Sequence, residues 1–159
     1  ERDKRIEAAV VYNPITDDLY YAERGKGAFL RDSRLRVSGR SDIRESIFAT
    51  GIPFLGRPGH ETFISELSTV MGTSSGIRRF GAASLDLAFV AAGRFDGFWE
   101  RGLSSWDMAA GMLLVREAGG IVSDFKGRDK MLETGEIIAT NGSLDQEFRK
   151  LLKKAAKNA

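Results

Sequence analysis

The sequence predicts an α/β protein of the α+β layered-sandwich kind, a mixed sheet covered by helices, with residues 1–159 forming one domain. Three observations predict it. The first third of the chain is mostly strand and turn, helical and strand patterns alternate from Gly59 onward, and the chain closes on an amphipathic helical repeat. With 159 residues and 42% hydrophobic content, it is long enough for one core and too short for two independent ones.

Taken in order, residues 1–5 read as the end of a strand, a turn at Asp3-Lys4 and the start of another strand. Residues 6–12 are β-rich, Asn13-Pro14 and Asp17-Asp18 mark a turn, and residues 19–22 resume the strand pattern, which predicts an antiparallel hairpin. Gly25 and Gly27 break it. Short strands are expected over residues 28–30, 35–37 and 46–50, the last ending before Gly51 and Pro53. A helix over residues 60–71 aligns Phe63, Ile64, Leu67 and Val70 on one side. Then follow a strand at 77–80, an apolar helix at 84–92, a strand at 95–99, a helix at 106–118, and strands at 121–125 and 137–140. Ser143, with Gln146 three residues on, reads as a capping box. It opens a helix in which Leu144, Phe148, Leu151, Leu152 and Ala155 recur at helical spacing.

Composition narrows the functional classes. Twenty-four Lys and Arg against 22 Asp and Glu leave a net charge of +2 with the signs interspersed, so nucleic acid is not indicated. The cluster Lys150, Lys153, Lys154 and Lys157 reads as the solvated end of the last helix. With no cysteine there is no disulfide, thiolate zinc site or cysteine nucleophile, which fits a cytoplasmic protein. No apolar run approaches the roughly 20 residues that span a bilayer, and no signal-peptide pattern opens the chain.

One histidine, His60, leaves no Ser-His-Asp or Cys-His arrangement, and its place at a helix start reads as surface. Arg24-Gly25-Lys26-Gly27 lies within a β pattern and is no phosphate-binding loop of the nucleotide-triphosphate kind. Chemistry therefore rests on carboxylates. Asp96 and Glu100 share a strand face by the period of two, Glu100 at its C-terminal end, and Asp107 falls in the first turn of the next helix. Hard cations take such oxygen ligands, which points to Mg²⁺. Each residue also has a purely structural account. Asp107 complements the helix dipole, with Ser104 or Ser105 as cap, and Glu100 is a strand-end charge. Gly81-Ala82-Ala83-Ser84, a strand-to-helix junction, either offers backbone N–H groups to a ligand or is small because helix and sheet pack closely there.

The run Trp106-Asp107-Met108-Ala109-Ala110-Gly111, continuing through Leu114-Val115-Arg116-Glu117-Ala118-Gly119-Gly120 to Asp124, resembles the second signature of the inositol monophosphatase family. Gly25-Lys26-Gly27-Ala28-Phe29, Arg78-Arg79-Phe80-Gly81 and Val90-Ala91-Ala92-Gly93-Arg94 with Asp96, Gly97 and Glu100 match in the same order, so the resemblance covers nearly the whole chain. It implies a Mg²⁺-dependent hydrolase of a small polyol or sugar phosphate, inositol monophosphate before fructose bisphosphate or 3′-phosphonucleotides. Asp107 would be a metal ligand that also meets a substrate hydroxyl, Glu100 would bind substrate hydroxyls, and Gly81, Ala82 and Ala83 would line the substrate pocket. Ala82 departs from the usual Ser or Thr, which removes one hydroxyl contact. Asp124 reads as a structural acid at a strand end.

The family's Asp-Pro-Ile-Asp-Gly-Thr signature, its upstream glutamates and its water-activating threonine would all precede residue 1. The chain is therefore expected to be the C-terminal part of such a domain, inactive without the N-terminal half. The resemblance further implies a homodimer. Some bacterial relatives bind the transcription machinery and support ribosomal RNA synthesis, so contact with RNA polymerase is the alternative role.

Overall fold

The computed structural model describes residues 5–157; the strand end, turn and strand start read from residues 1–5 lie, apart from Arg5, outside them. Nine strands and five helices follow in order among the described residues. A first sheet is a plain meander of β1 (Ala8–Asn13), β2 (Asp18–Glu23), β3 (Gly27–Leu30) and β4 (Ser33–Arg34), each antiparallel to the next. After a 3₁₀ turn at Ile43–Glu45 come β5 (Ile47–Thr50), α1 (His60–Met71), β6 (Gly76–Arg78), α2 (Ala83–Ala91) and β7 (Gly97–Arg101). The chain continues through α3 (Ser105–Glu117), β8 (Ile121–Ser123), α4 (Met131–Thr134), β9 (Glu136–Thr140) and α5 (Asp145–Ala155). The second sheet has the order β6-β5-β7-β9-β8, with β6, β5 and β7 parallel and β9 antiparallel to both β7 and β8. The mixed, helix-covered sheet expected from the sequence is therefore present.

Four layers result. On one face of the second sheet, Phe48, Trp99 and Ile138 pack with Val70 of α1 and Leu144, Phe148 and Leu152 around α5; Phe48 stacks on Phe148 at 4.1 Å and Trp99 meets it edge-on at 5.7 Å. On the other face, Ala49, Phe98, Ile137 and Ala139 meet α2 and α3, which are covered in turn by Ala9, Val11, Tyr20, Ala22 and Ala28 of the first sheet. The alternation of β1 is visible in this: Ala9 and Val11 point inward while Val10 and Tyr12 are exposed. Helices α2 and α3 approach so closely that a Cβ at Gly111 would overlap the Leu87 side chain.

Some boundaries differ from expectation for identifiable reasons. Residues 35–37 are not a strand. The Leu35 N–H donates to Ala28 O at 2.7 Å, but the Val37 N–H turns to Ala118 O at 3.1 Å, so the chain leaves the first sheet to meet the end of α3. The Ser143–Gln146 capping box is absent, because the Asn141 side chain takes that part. Its Oδ1 accepts from the Leu144 N–H at 3.2 Å and its Nδ2 donates to Ser38 Oγ and Arg40 O, and Leu144 becomes the cap position of α5. The short α4 and the 3₁₀ turn carry too few residues to show a period. His60 is exposed at the start of α1, and Lys150, Lys153 and Lys154 are exposed on α5, as expected.

Two carboxylates outside the sheet ends lock the layers. Asp96, fully buried just before β7, accepts from the Ser38 hydroxyl at 2.5 Å, the Ile47 N–H at 2.7 Å and the Arg40 guanidinium at 3.2 Å. Glu117 at the end of α3 receives the N–H groups of Gly25 and Gly27, both at 2.9 Å, and so grips the β2–β3 turn. Asp124 is the structural acid expected. Burial pushes its pKa up, but the N–H and guanidinium of Arg128 and the Lys126 N–H outweigh this and hold the carboxyl below the usual range. Replacing Asp96 with Ala strands three buried or half-buried donors and is expected to cost about 3 kcal/mol in urea unfolding. Asp129→Ala removes a solvent-exposed pair with Arg116 and should cost less than about 0.5 kcal/mol. Equal losses would contradict the anchoring role of Asp96.

Candidate active site

Because β5, β6 and β7 are parallel, their C-terminal ends open on one edge of the sheet. Ligands of open α/β sheets bind beyond that edge, where the strand order reverses, and here the order β6-β5-β7 places the reversal at β5. Gly51 follows β5, the stretch from Arg79 to Ala82 follows β6 and leads into α2, and Glu100 lies one residue from the end of β7. Gly81 takes φ +77°, the left-handed region that favours glycine, and this turn aims the N-terminus of α2 along the edge. Ala82 holds the cap position with no side-chain hydrogen bond and Ala83 is the first helical residue, so the first N–H groups of α2 are free of a side-chain cap.

Asp107 enters from the first turn of α3. Its Oδ2 accepts from the Ser104 N–H at 2.8 Å, so the capping role and the placement of the carboxylate come from one hydrogen bond, and the side chain stays half-buried. Exposed Trp106 lies beside it. The candidates Gly81, Ala82, Ala83, Glu100 and Asp107 therefore meet at one corner. Asp96 does not join them. It precedes β7 at the opposite end from Glu100, and its oxygens are taken up by Ser38, Arg40 and Ile47, so the shared strand face expected from the period of two does not make it a site residue.

Electrostatics identify what sequence reasoning missed. Asp86 of α2 is 1% exposed, and neither carboxylate oxygen has a full hydrogen bond. Burial pushes its pKa up to about 7, against the weaker pull of the Ala82 N–H and Arg79. Glu100 is likewise raised to about 7, by burial first and then by the charges of Asp86 and Asp107, with Arg79 and Arg57 opposing. Three acids and two arginines thus share the corner. An acid inside the apolar run Leu85-Asp86-Leu87-Ala88-Phe89-Val90 was the available signal, since an unpaired charge does not belong on a buried helix face.

A magnesium site is only partly provided for. Among the described residues no group of three or more His, Asp or Glu side chains is arranged to hold a metal ion. The half-buried Asp107 carboxylate has the oxygen chemistry a hard cation takes.

The buried acids make a pH prediction. Asp86 binds its proton more tightly folded than unfolded, so its ionisation costs stability as pH rises from about 4 to about 7. In the metal-free protein, Asp86→Asn should be about as stable as the parent near pH 4 and more stable at pH 8, by on the order of 2–4 kcal/mol. Chemical denaturation at both pH values checks this; a difference independent of pH would contradict it.

Fold and site together define a layered α/β protein with a corner of buried acids at the C-terminal edge of its parallel strands. Comparison with known proteins makes that class specific. The chain matches the inositol monophosphatase family profile over residues 2–158. It is 54% identical over 154 residues to the inositol-1-monophosphatase of Rhizobium meliloti, covering 97% of this chain and 58% of that protein. It is 52% identical over 139 residues to the Nus factor SuhB of Pseudomonas aeruginosa, covering 86% and 51%. The crystal structure of extragenic suppressor protein suhB from Bartonella henselae superposes with a TM-score of 0.92 at 54% identity, covering 94% of this chain and 57% of that one. The chain belongs to the inositol monophosphatase family, and it spans little more than half the length of the curated relatives it matches.

Proposed function

We propose that this chain is the C-terminal, substrate-facing part of a Mg²⁺-dependent phosphatase that releases phosphate from a small polyol or sugar phosphate, inositol monophosphate foremost. The observation that carries the reading is the meeting of Glu100, Asp107 and the α2 N-terminus at the edge where the parallel strands end. Membership of the family and the name of the Rhizobium meliloti relative support the same substrate class. Fructose bisphosphate and 3′-phosphonucleotides remain within the same chemistry.

In this reading each residue at the corner has a part in binding. Glu100 accepts hydrogen bonds from substrate hydroxyls, and its raised pKa leaves it partly protonated near neutral pH, able to donate as well. The backbone at Gly81, Ala82 and Ala83 lines the pocket, and the α2 N-terminus favours the substrate's negative charge. Asp107, oriented by the Ser104 N–H, serves as one metal ligand and meets the substrate hydroxyl beside the phosphate. Bound Mg²⁺ supplies charge stabilisation and an activated water; its other ligands lie outside this chain, which by itself is expected to be inactive. The working protein is proposed to be a cytoplasmic homodimer. Among the described residues no helix is long and apolar enough to cross a membrane.

The test uses the full-length protein with inositol 1-phosphate and Mg²⁺. Asp107→Asn should lower phosphate release at least about a hundredfold while thermal unfolding changes little. Unchanged release would remove Asp107 from the site and the reading with it. The Nus-factor name of the Pseudomonas aeruginosa relative favours a second reading, a partner of the transcription machinery. Recovery of RNA polymerase on the protein, undiminished by Asp107→Asn, is its expected signature; failure to recover it would dismiss that reading.

A further inference from the structure

Gly51 is buried at the end of β5, next to Glu100, because the parallel register pairs Thr50 with Trp99. Its backbone is not in the left-handed region, so conformation does not require glycine there. Space does. A Cβ at position 51 would overlap the Glu100 carboxylate, against both oxygens and the carbon that bears them. Thr50 fixes the strand ends against each other, its hydroxyl donating to Trp99 O at 2.7 Å, so neither backbone yields easily. Next to Glu100 on β7, Arg101 is clamped to buried Glu66 by two hydrogen bonds of 2.5 and 2.7 Å and lies 3.4 Å over the Phe125 ring. With β7 held at both positions 99 and 101, the Glu100 side chain is the part left to move.

We infer that Gly51 is a positioning and specificity-determining residue: the missing side chain is the slot in which the Glu100 carboxylate is seated to receive substrate hydroxyls. The inference rests on the proposed phosphatase reading and extends it to a residue that touches no substrate. Any side chain at position 51 pushes the carboxylate out of its seat, while Asp107 and the α2 N-terminus stay in place. Selectivity between hydroxyl-bearing and hydroxyl-free leaving groups then depends on an aliphatic position, with no change to the groups that handle phosphate.

The experiment compares full-length parent, Gly51→Ala, Glu100→Ala and the double variant on inositol 1-phosphate and on phenyl phosphate, whose leaving group carries no further hydroxyl. Gly51→Ala should lower kcat/KM for inositol 1-phosphate about tenfold, the size of one lost hydrogen bond to a charged group, mainly through KM. Phenyl phosphate should change less than about twofold. In the Glu100→Ala background, Gly51→Ala should add nothing, because no carboxylate remains to displace. Thermal unfolding of all four and a crystal structure of Gly51→Ala, expected to show the carboxylate moved and the backbone unmoved, separate misfolding from repositioning. Equal losses on both substrates, an undiminished effect in the Glu100→Ala background, or an unmoved carboxylate would overturn the inference. A parent that releases phosphate from neither compound would instead overturn the phosphatase reading on which it stands.

Discussion

The buried carboxylate of Asp96 is the constraint on which the rest of the structure depends. It gathers Ser38 and Arg40 from the segment between the sheets, the first N–H of β5 and the start of β7, the central strand of the second sheet. Asn141 extends the same network to the start of α5 through Ser38 and Arg40. A charge with no exposure persists only if its hydrogen bonds replace the water it has lost. Once they do, β5 and β7 are fixed side by side at their N-terminal ends. Everything at their C-terminal ends, from Gly51 to Glu100, inherits its position from that register.

The two ends of β7 treat carboxylates oppositely. At the first, Asp96 is fully satisfied; at the second, Glu100 and Asp86 are buried near one another with too few donors, and both hold protons toward neutral pH. Such an arrangement destabilises the folded protein when the groups ionise, which a purely structural corner would not retain. A cation or a hydroxyl-rich ligand placed there would relieve it. The N-terminus of α2 adds a positive end to the same corner, and Asp107 faces it from the first turn of α3. Opposed tendencies of this kind, acids to gather cations and a helix end to attract anions, suit a ligand that brings metal and phosphate together.

Much of this was legible in the sequence, for physical reasons that differ by element. Helices α1 and α3 and the β1–β2 hairpin followed from period and turn chemistry, because each has one buried face and clear punctuation at its ends. The positions of Asp107 in the first turn of a helix and of Glu100 near the end of a strand were legible because element boundaries alone set them. Asp96 misled because strand period fixes the face a side chain takes and not its distance along the strand. Asp86 and Gly51 were illegible for a different reason. An acid on an apolar helix and a glycine after a strand acquire meaning only when α2 and β5 are brought against β7, and that is a tertiary fact. The Asn141 turn that displaced the expected Ser143 cap likewise depends on residues a hundred positions away.

The chain belongs to the inositol monophosphatase family, and the proposed reading gives it the corner that faces substrate. The most direct measurement is a crystal structure of the full-length protein with Mg²⁺ and inositol 1-phosphate. The account predicts a metal ion on the Asp107 carboxylate, inositol hydroxyls against Glu100, and the ligand lying along Gly81, Ala82 and Ala83. A substrate bound in the protein without contact to Glu100, Asp107 or the start of α2 would contradict it.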